Sequence, residues 1–113
     1  MSIFKGVVQK GAQRGAALGY PTINIPLTDQ EVSGVYAALV RIDKTLHHAA
    51  AFADQKRHIL EAHIFGISDV LYGREVSIEL KQKIRDTAVY ENAELLKAAI
   101  AKDITEIQEY FDK

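Results

Sequence analysis

The stretch REVSIELKQKI, residues 74–84, alternates apolar and polar side chains along most of its length. In an extended chain, successive side chains point to opposite faces, so a period of two is typical of a strand with one buried face. The two predicted faces are Val76, Ile78 and Leu80 inward, and Ser77, Glu79 and Lys81 outward. The stretch therefore predicts a β-strand that covers a hydrophobic core on one side.

Four runs that precede this stretch are also interpreted as strands: IFKGVVQKG (3–11), GVYAALVRID (34–43), LHHAAAFA (46–53) and HILEAHIF (58–65). Their β-branched residues and alternation favour extended structure. The alanines of 46–53 would suit a helix, but the run is short and lies between strand-like segments. In 58–65 the alternation places Leu60, Ala62 and Ile64 on one face and Glu61 on the other.

The period of the apolar pattern changes after Asn92. From there, apolar residues recur three or four positions apart, which is the pattern of an amphipathic helix: Leu96, Ile100, Ile104, Ile107 and Phe111. Asn92 suits the N-cap, and Glu94 lies in the first turn, where the helix dipole favours an anion. Short strands followed by one helix predict a mainly β fold, a small antiparallel β-barrel with a C-terminal α-helix packed against it.

Composition limits the classes of function. The chain has 113 residues, a formal net charge of −1 and no cysteine. This length predicts a single domain over residues 1–113. The charge balance argues against a nucleic-acid binder, and the lack of cysteine excludes disulfides and thiolate metal sites. With no signal peptide or apolar run long enough to cross a membrane, we expect a cytoplasmic protein without a membrane partner.

The segment GAQRGAALGYPTINIP, residues 11–26, concentrates glycine, proline and short polar side chains. Gly11, Gly15 and Gly19 would let backbone N–H groups approach a phosphate, and Arg14 would add a charged fork. The alternative is a flexible surface loop whose exit is stiffened by Pro21. The spacing alone does not decide between them, because it matches neither a Walker loop nor a dinucleotide fingerprint.

Thr22 and Asn24 follow Pro21 and supply a hydroxyl and an amide oxygen. Residues two apart in an extended chain project to the same side. The two oxygens would then converge on one ion, and oxygen ligands suit Mg²⁺.

Five blocks of the chain resemble the riboflavin kinase family, and they occur in the family's order: GAQRGAALGYPTINI (11–25), SGVYAALV (33–40), LEAHIF (60–65), DVLYGREVSIEL (69–80) and IRDTAVYENAELLKAAIAKDI (84–104). The resemblance implies a six-stranded antiparallel Greek-key barrel with a C-terminal helix. It also implies transfer of the terminal phosphate of ATP to riboflavin, giving FMN and ADP with Mg²⁺.

The resemblance assigns roles to individual residues. The nucleotide phosphates would be bound by Gly11, Arg14, Gly15, Gly19 and Pro21. Thr22 and Asn24 match the metal-site residues, and Glu61 matches the catalytic base, for which the alternative is a solvated strand carboxylate.

Flavin binding is expected in the loop before the last helix. Arg85 matches a loop arginine of the family, and Thr87 stands where an acidic residue is usual. Tyr90 stands at the position of an aromatic residue that is usually Phe. Tyr90 has a second interpretation, as a hydrophobic plug at the start of the helix.

Departures from the family pattern keep a second function open. The segment AAAFADQKRHILEA, residues 49–62, is shorter than its counterpart and lacks a glycine and a proline found there. The alternative is a non-catalytic relative that binds flavin or nucleotide as a sensor, carrier or partner domain. The chain has no adenylyltransferase module, so FAD synthesis is not expected, and the sequence does not name a protein partner.

Overall fold

The structure is a computed structural model that describes residues 2–10, 18–67 and 71–113. Its elements in chain order are β1 (Ser2–Val7), β2 (Ile23–Pro26), β3 (Gly34–Ile42), β4 (Thr45–Asp54), β5 (Ile59–Ile64), β6 (Glu75–Arg85) and α1 (Ala93–Phe111). The mainly β composition and the position of the helix confirm the fold class predicted from the sequence. The ambiguous run 46–53 lies within β4.

The six strands form one sheet in the order β1-β6-β3-β4-β5-β2, and all paired neighbours are antiparallel. Strands β3, β4 and β5 are consecutive, and β6 returns to lie beside β3, which is the Greek-key arrangement. The two edge strands approach each other where the backbone N–H of Gln9 donates to the Asn24 carbonyl at 2.8 Å. The sheet is thereby curled into a nearly closed barrel.

The barrel interior is filled by the side chains that the alternation predicted. In β5 and β6 the buried residues are Leu60, Ala62, Ile64, Val76, Ile78 and Leu80. From β4, Ala49, Ala51 and Ala53 point inward and are almost fully buried. Small side chains on this strand fit the narrow interior of a six-stranded barrel, so the alanine run reflects packing space rather than helix propensity.

A glycine in β1 allows the barrel to close. A Cβ atom placed on Gly6 would lie 2.9 Å from the Cβ of Ile25 in β2, closer than side chains tolerate. Ile25 itself is fully buried. Glycine at this position therefore lets the two edge strands come together over the core.

Strand β1 ends at Val7, earlier than the predicted end at Gly11. The reason is that Gln9 pairs with Asn24 of β2, so it no longer belongs to the β1–β6 ladder. The continuation of the chain thus serves barrel closure.

Helix α1 packs on the outside of the barrel. The Asn92 side chain caps it by accepting the N–H of Leu95 at 2.9 Å, as the sequence predicted. Ile107 is fully buried against Val35 and Ala37 of β3. Within the described part of the chain, no helix has the length and hydrophobicity required to span a lipid bilayer.

Candidate functional site

A cavity of about 690 Å³ lies between the outer face of the sheet, segment 85–92 and the first half of α1. This volume falls within the range of about 300–1,000 Å³ that is usual for small-molecule sites. Its apolar wall includes Leu18, Val35, Phe52, Leu96 and Ile100. The cavity therefore offers an apolar surface to a flat or aromatic ligand.

Charged groups also line the cavity. The β4–β5 hairpin contributes Asp54, Lys56 and Glu61. The end of β6 contributes Arg85, and the middle of α1 contributes Asp103. An apolar pocket with a few convergent polar groups is the usual form of a binding or catalytic site.

Two oxygen-bearing side chains, Thr22 and Glu61, meet at one edge of this cavity, and Asn24 lies beside them in the sheet. Asn24 of β2 lies directly opposite Glu61 of β5 in the antiparallel pairing, so both belong to the outer face of the barrel. Thr22 precedes Asn24 by two positions, and its hydroxyl donates to Glu61 Oε2 at 3.4 Å. The register of two strands thus brings together a hydroxyl, an amide and a carboxylate.

His63 holds the Pro-Thr segment in place. Its Nδ1–H donates to the Pro21 carbonyl at 2.8 Å, since a carbonyl oxygen can only accept. The same imidazole packs edge-to-face against Tyr20 and Phe65. These contacts give His63 a structural role.

The carboxylate of Glu61 also contacts Arg57 in the turn between β4 and β5. The Nη2 atom of Arg57 donates to Glu61 Oε1, and the Nε atom of Arg57 donates to Asp54 Oδ2 at 2.7 Å. Asp54 Oδ1 further accepts the backbone N–H groups of Lys56 and Arg57 at 3.0 and 3.2 Å. Burial opposes the charge of Asp54, but these hydrogen bonds prevail and lower its pKa. The hydrogen bond to Asp54 likewise raises the pKa of Arg57.

Arg85 connects the loop 86–92 to the helix. Its Nε and Nη2 donate to the two oxygens of Asp103 at 2.8 and 2.7 Å, and this bond raises the pKa of the guanidinium. Its Nη1 donates to the Asp86 carbonyl at 3.2 Å, and its guanidinium carbon lies 5.6 Å from the centroid of the Tyr90 ring. The arginine therefore contacts the loop near both ends.

Gly34 places this arginine close to β3. The residue has φ of +97°, and a Cβ there would lie 2.4 Å from the Arg85 carbonyl oxygen. A residue with a side chain would be excluded by both the backbone conformation and the space. Glycine at this position thus allows the end of β6 to lie against the start of β3 beside the cavity.

The structure brings five of the predicted site residues to the cavity: Thr22, Glu61, Arg85, Thr87 and Tyr90. Asn24 is buried beside Glu61 and is not part of the cavity wall. Gly19 and Pro21 are not part of the wall either, although their neighbours Leu18, Tyr20 and Thr22 are. Gly11, Arg14 and Gly15 lie outside the described residues.

The charged residues near the cavity that the sequence interpretation did not select include Asp54, Arg57 and Asp103. Asp103 gave one signal, because it falls within the apolar stripe of the helix, where an unpaired carboxylate would be costly. Asp54 and Arg57 gave none, because charged residues three apart in a hairpin turn are common on protein surfaces.

The donor chemistry at the edge of the cavity fits a divalent metal ion. Among the described residues, no cluster of three or more His, Cys, Asp or Glu side chains could hold one. Thr22, Asn24 and the neighbouring Glu61 instead offer oxygen atoms, which hard cations such as Mg²⁺ prefer. Such a partial set suits an ion whose remaining ligands are waters and substrate phosphates.

A family model described as riboflavin kinase matches residues 2–111, nearly the whole chain. The chain belongs to the riboflavin kinase family. This finding confirms the resemblance drawn from the five sequence blocks. Riboflavin kinases use ATP and a divalent metal ion to phosphorylate riboflavin.

Curated proteins similar to this riboflavin kinase family member are larger. This chain is 35% identical over 115 residues to the bifunctional riboflavin kinase/FMN adenylyltransferase of Escherichia coli, and the match covers 94% of this chain and 37% of that protein. It is 31% identical to the protein of the same name from Mycoplasma pneumoniae, covering 95% of this chain and 42% of that protein. A trifunctional protein RibF/MnmA of Mycoplasmoides gallisepticum is 35% identical, with coverage of 96% and 18%. The chain thus spans less than half the length of these relatives.

A solved structure shares the fold. The match is to a crystal structure titled macrolide-efflux protein from Streptococcus pneumoniae, with a TM-score of 0.81 and 26% identity. It covers 94% of this chain and 38% of that one.

Proposed function

We propose that this chain is an active riboflavin kinase, which transfers the γ-phosphate of ATP to riboflavin and forms FMN and ADP. The observation that carries the proposal is the contact of Thr22 with Glu61 at the edge of the cavity, with Asn24 directly opposite Glu61 in the strand register. Phosphoryl transfer depends mostly on positioning and charge stabilisation, and this edge provides both a base and metal ligands.

Glu61 is the general base in this proposal. Its carboxylate accepts the proton of the ribityl hydroxyl as that oxygen forms a bond to the γ-phosphorus. The bond between the γ-phosphorus and the bridging oxygen breaks, and ADP leaves with the electron pair. Oε2 of Glu61 lies at the cavity edge, within 3.4 Å of the Thr22 hydroxyl, where an incoming alcohol would be placed.

Thr22 and Asn24 would hold the metal, which we propose to be Mg²⁺. When bound, such an ion neutralises charge on the phosphate oxygens. Asn24 is 4% exposed and is fixed on both sides, by its pairing with Glu61 and by the hydrogen bond from Gln9 to its carbonyl. The backbone that carries this proposed ligand is therefore held in place by both neighbouring segments.

The phosphates of ATP are assigned to the glycine-rich segment. Gly11, Arg14, Gly15 and Gly19 would supply backbone N–H groups and one guanidinium, and Pro21 would fix the exit of the segment. His63 supports this proposal indirectly, because its hydrogen bond to the Pro21 carbonyl positions the residues that lead into Thr22.

Riboflavin is assigned to the cavity. Phe52, Leu96 and Ile100 offer an apolar wall to the isoalloxazine ring, and Thr87 and Tyr90 approach from the loop. Arg85 has two of its donors committed to Asp103 and one to the Asp86 carbonyl. We therefore assign Arg85 to ordering the loop 86–92 as much as to contacting flavin.

Residues 1–113 would act as one domain, and the proposed location is the cytoplasm, where ATP and riboflavin are available. The proposed partners are riboflavin, FMN, ATP and ADP, with neither nucleic acid nor membrane among them, and no protein partner is proposed.

The test compares the wild-type protein with Glu61→Gln. Each is incubated with riboflavin, ATP and Mg²⁺, and FMN is separated by chromatography. Loss of the base should lower turnover by roughly two to four orders of magnitude while quenching of riboflavin fluorescence persists. Equal turnover by the two proteins would remove Glu61 from the mechanism.

A second candidate is a non-catalytic relative that binds flavin. It is favoured by the short turn between β4 and β5, where the side-chain amide of Gln55, at the cavity wall, is committed to the Asp29 and Val32 carbonyls. This candidate predicts riboflavin quenching without FMN formation by the wild-type protein.

A further inference from the structure

We propose that Arg57 is a positioning residue for Glu61, and that Asp54 fixes Arg57 for this purpose. The inference rests on the proposed function, because it assigns a role in relation to the proposed base. It concerns Asp54 and Arg57 in the turn between β4 and β5, two residues to which the sequence analysis assigned no individual role.

The first step is the anchoring of Asp54. Its side chain is 12% exposed at the end of β4, and one oxygen accepts two backbone N–H groups of the turn. The position of this carboxylate is therefore set by the backbone and does not depend on a flexible partner.

The second step is the orientation of the guanidinium. Asp54 Oδ2 accepts the Nε–H of Arg57 at 2.7 Å. The guanidinium is planar, so fixing Nε also fixes the direction of Nη2. Nη2 then donates to Oε1 of Glu61.

The third step is that the two oxygens of the Glu61 carboxylate have different partners. Oε1 is held by Arg57, whereas Oε2 lies beside the Thr22 hydroxyl at the cavity edge. Glu61 lines the cavity and Arg57 does not. Arg57 therefore contacts the proposed base without lining the cavity. It would act on a ligand through Glu61, not by direct contact.

The functional consequence follows from the geometry of proton transfer. A carboxylate fixed at one oxygen can present the other to a bound hydroxyl without searching through rotamers. Because a misplacement of about 1 Å can cost a hundredfold in rate, loss of the holding group should lower turnover more than binding.

The experiment is a double-mutant cycle on FMN formation, with wild type, Arg57→Met, Glu61→Gln and the double variant. We expect Arg57→Met to lower kcat by about tenfold to a hundredfold, with KM for riboflavin and ATP changed by less than about threefold. In the Glu61→Gln background the same change should have less than about a twofold effect, because the two residues act as one unit.

Three further variants complete the design. Arg57→Lys keeps the charge without the planar fork and should recover only part of kcat. Asp54→Asn should lower kcat in the same direction as Arg57→Met. Arg74→Met is the matched control, because Arg74 also pairs with an aspartate, Asp43, and neither residue lines the cavity; its kcat should equal that of the wild type.

Folding is checked by thermal melting and by riboflavin quenching for each variant, and an Arg57→Met protein that fails to fold is replaced in the cycle by Arg57→Lys. An unchanged kcat in a folded Arg57 variant would overturn the inference. Independent, multiplicative losses in the double variant would also overturn it and would indicate direct contact of Arg57 with a phosphate. A wild-type protein that forms no FMN would overturn the proposed function together with this inference, whereas loss in Glu61→Gln alone would overturn only the role of Arg57.

Discussion

Asn24 and Glu61 occupy facing positions in neighbouring strands. This register places a proposed metal ligand directly opposite the proposed general base. A slip of one residue in the β2–β5 pairing would turn one of them into the barrel interior. The neighbours Ile23 and Ile25 prevent such a slip because both are buried in the core. Packing of the apolar residues therefore maintains the alignment of the polar ones.

Asn24→Ala tests the proposed metal role at the residue scale. Removing the amide oxygen should weaken metal-dependent ATP binding by about tenfold or more, since first-sphere and supporting groups each affect metal affinity strongly. Riboflavin binding should remain, because Asn24 is outside the cavity wall. Isothermal titration with each ligand measures this difference, and equal loss of both ligands would indicate misfolding instead of a lost metal ligand.

Asp54 provides a prediction for the pH dependence of stability. Its pKa is lower in the folded protein, where burial is outweighed by the hydrogen bonds from Arg57 and the turn. The stabilising contribution is therefore complete above the unfolded value of about 3.9 and is lost as the pH falls through the folded pKa. The difference in Tm between wild type and Asp54→Asn should be largest near neutral pH and should shrink on acidification.

Thermal melts at a series of pH values from neutral to strongly acidic measure this difference. Asp43→Asn, at the exposed ion pair with Arg74, controls for the change in net charge. A Tm difference for Asp54→Asn that stays constant through the acidic range would contradict the assigned cause.

The candidate site was predictable from the sequence only in part. Thr22, Asn24 and Glu61 could be selected because their neighbours formed recognisable blocks. Arg57 could not be selected, because its importance depends on a tight turn that directs it back to Glu61 four positions later. Its contact with Asp54 looks in the sequence like an ordinary surface ion pair.

At the scale of elements, the pair Arg85–Asp103 fastens the helix α1 to the end of β6. Asp103 is one of two buried residues of the helix, together with Ile107. A carboxylate at this depth is stable because both of its oxygens accept from one guanidinium. The position of the helix on the barrel is therefore fixed by this polar pair together with the apolar cluster around Ile107.

Asp103→Ala should destabilise the protein by about 2–3 kcal/mol, somewhat less than for a fully buried pair because the Arg85 side chain remains 27% exposed. Chemical denaturation measures the free energy of unfolding. The double variant Arg85→Met/Asp103→Leu should regain much of the loss, because no charge is then left unpaired. A double variant as unstable as Asp103→Ala would contradict this account of the pair.

The strand faces were predictable because alternation is a local property. Val76, Ile78 and Leu80 needed no knowledge of the partner strands. The Arg85–Asp103 pair could not be predicted in the same way, because it joins residues 18 positions apart across two elements. Its only local sign was an acidic residue within an apolar stripe.

At the scale of the whole molecule, the barrel supports the site and the loops and helix enclose it. The core lies inside the barrel, whereas the cavity lies on its outer face under α1 and segment 85–92. Core packing and ligand binding are thus separated in space. Cavity variants outside the Arg85–Asp103 pair should for this reason affect function with smaller effects on the core.

The most direct test of the central proposal follows the phosphate itself. The wild-type chain is incubated with riboflavin, a divalent metal ion and ATP labelled at the γ-phosphorus, and the flavins are separated. We predict that the label appears in FMN in proportion to the ADP formed, and that removal of the metal by a chelator abolishes this transfer. Riboflavin that binds to the protein but remains unlabelled, with or without metal, would contradict the proposal that this barrel is a kinase.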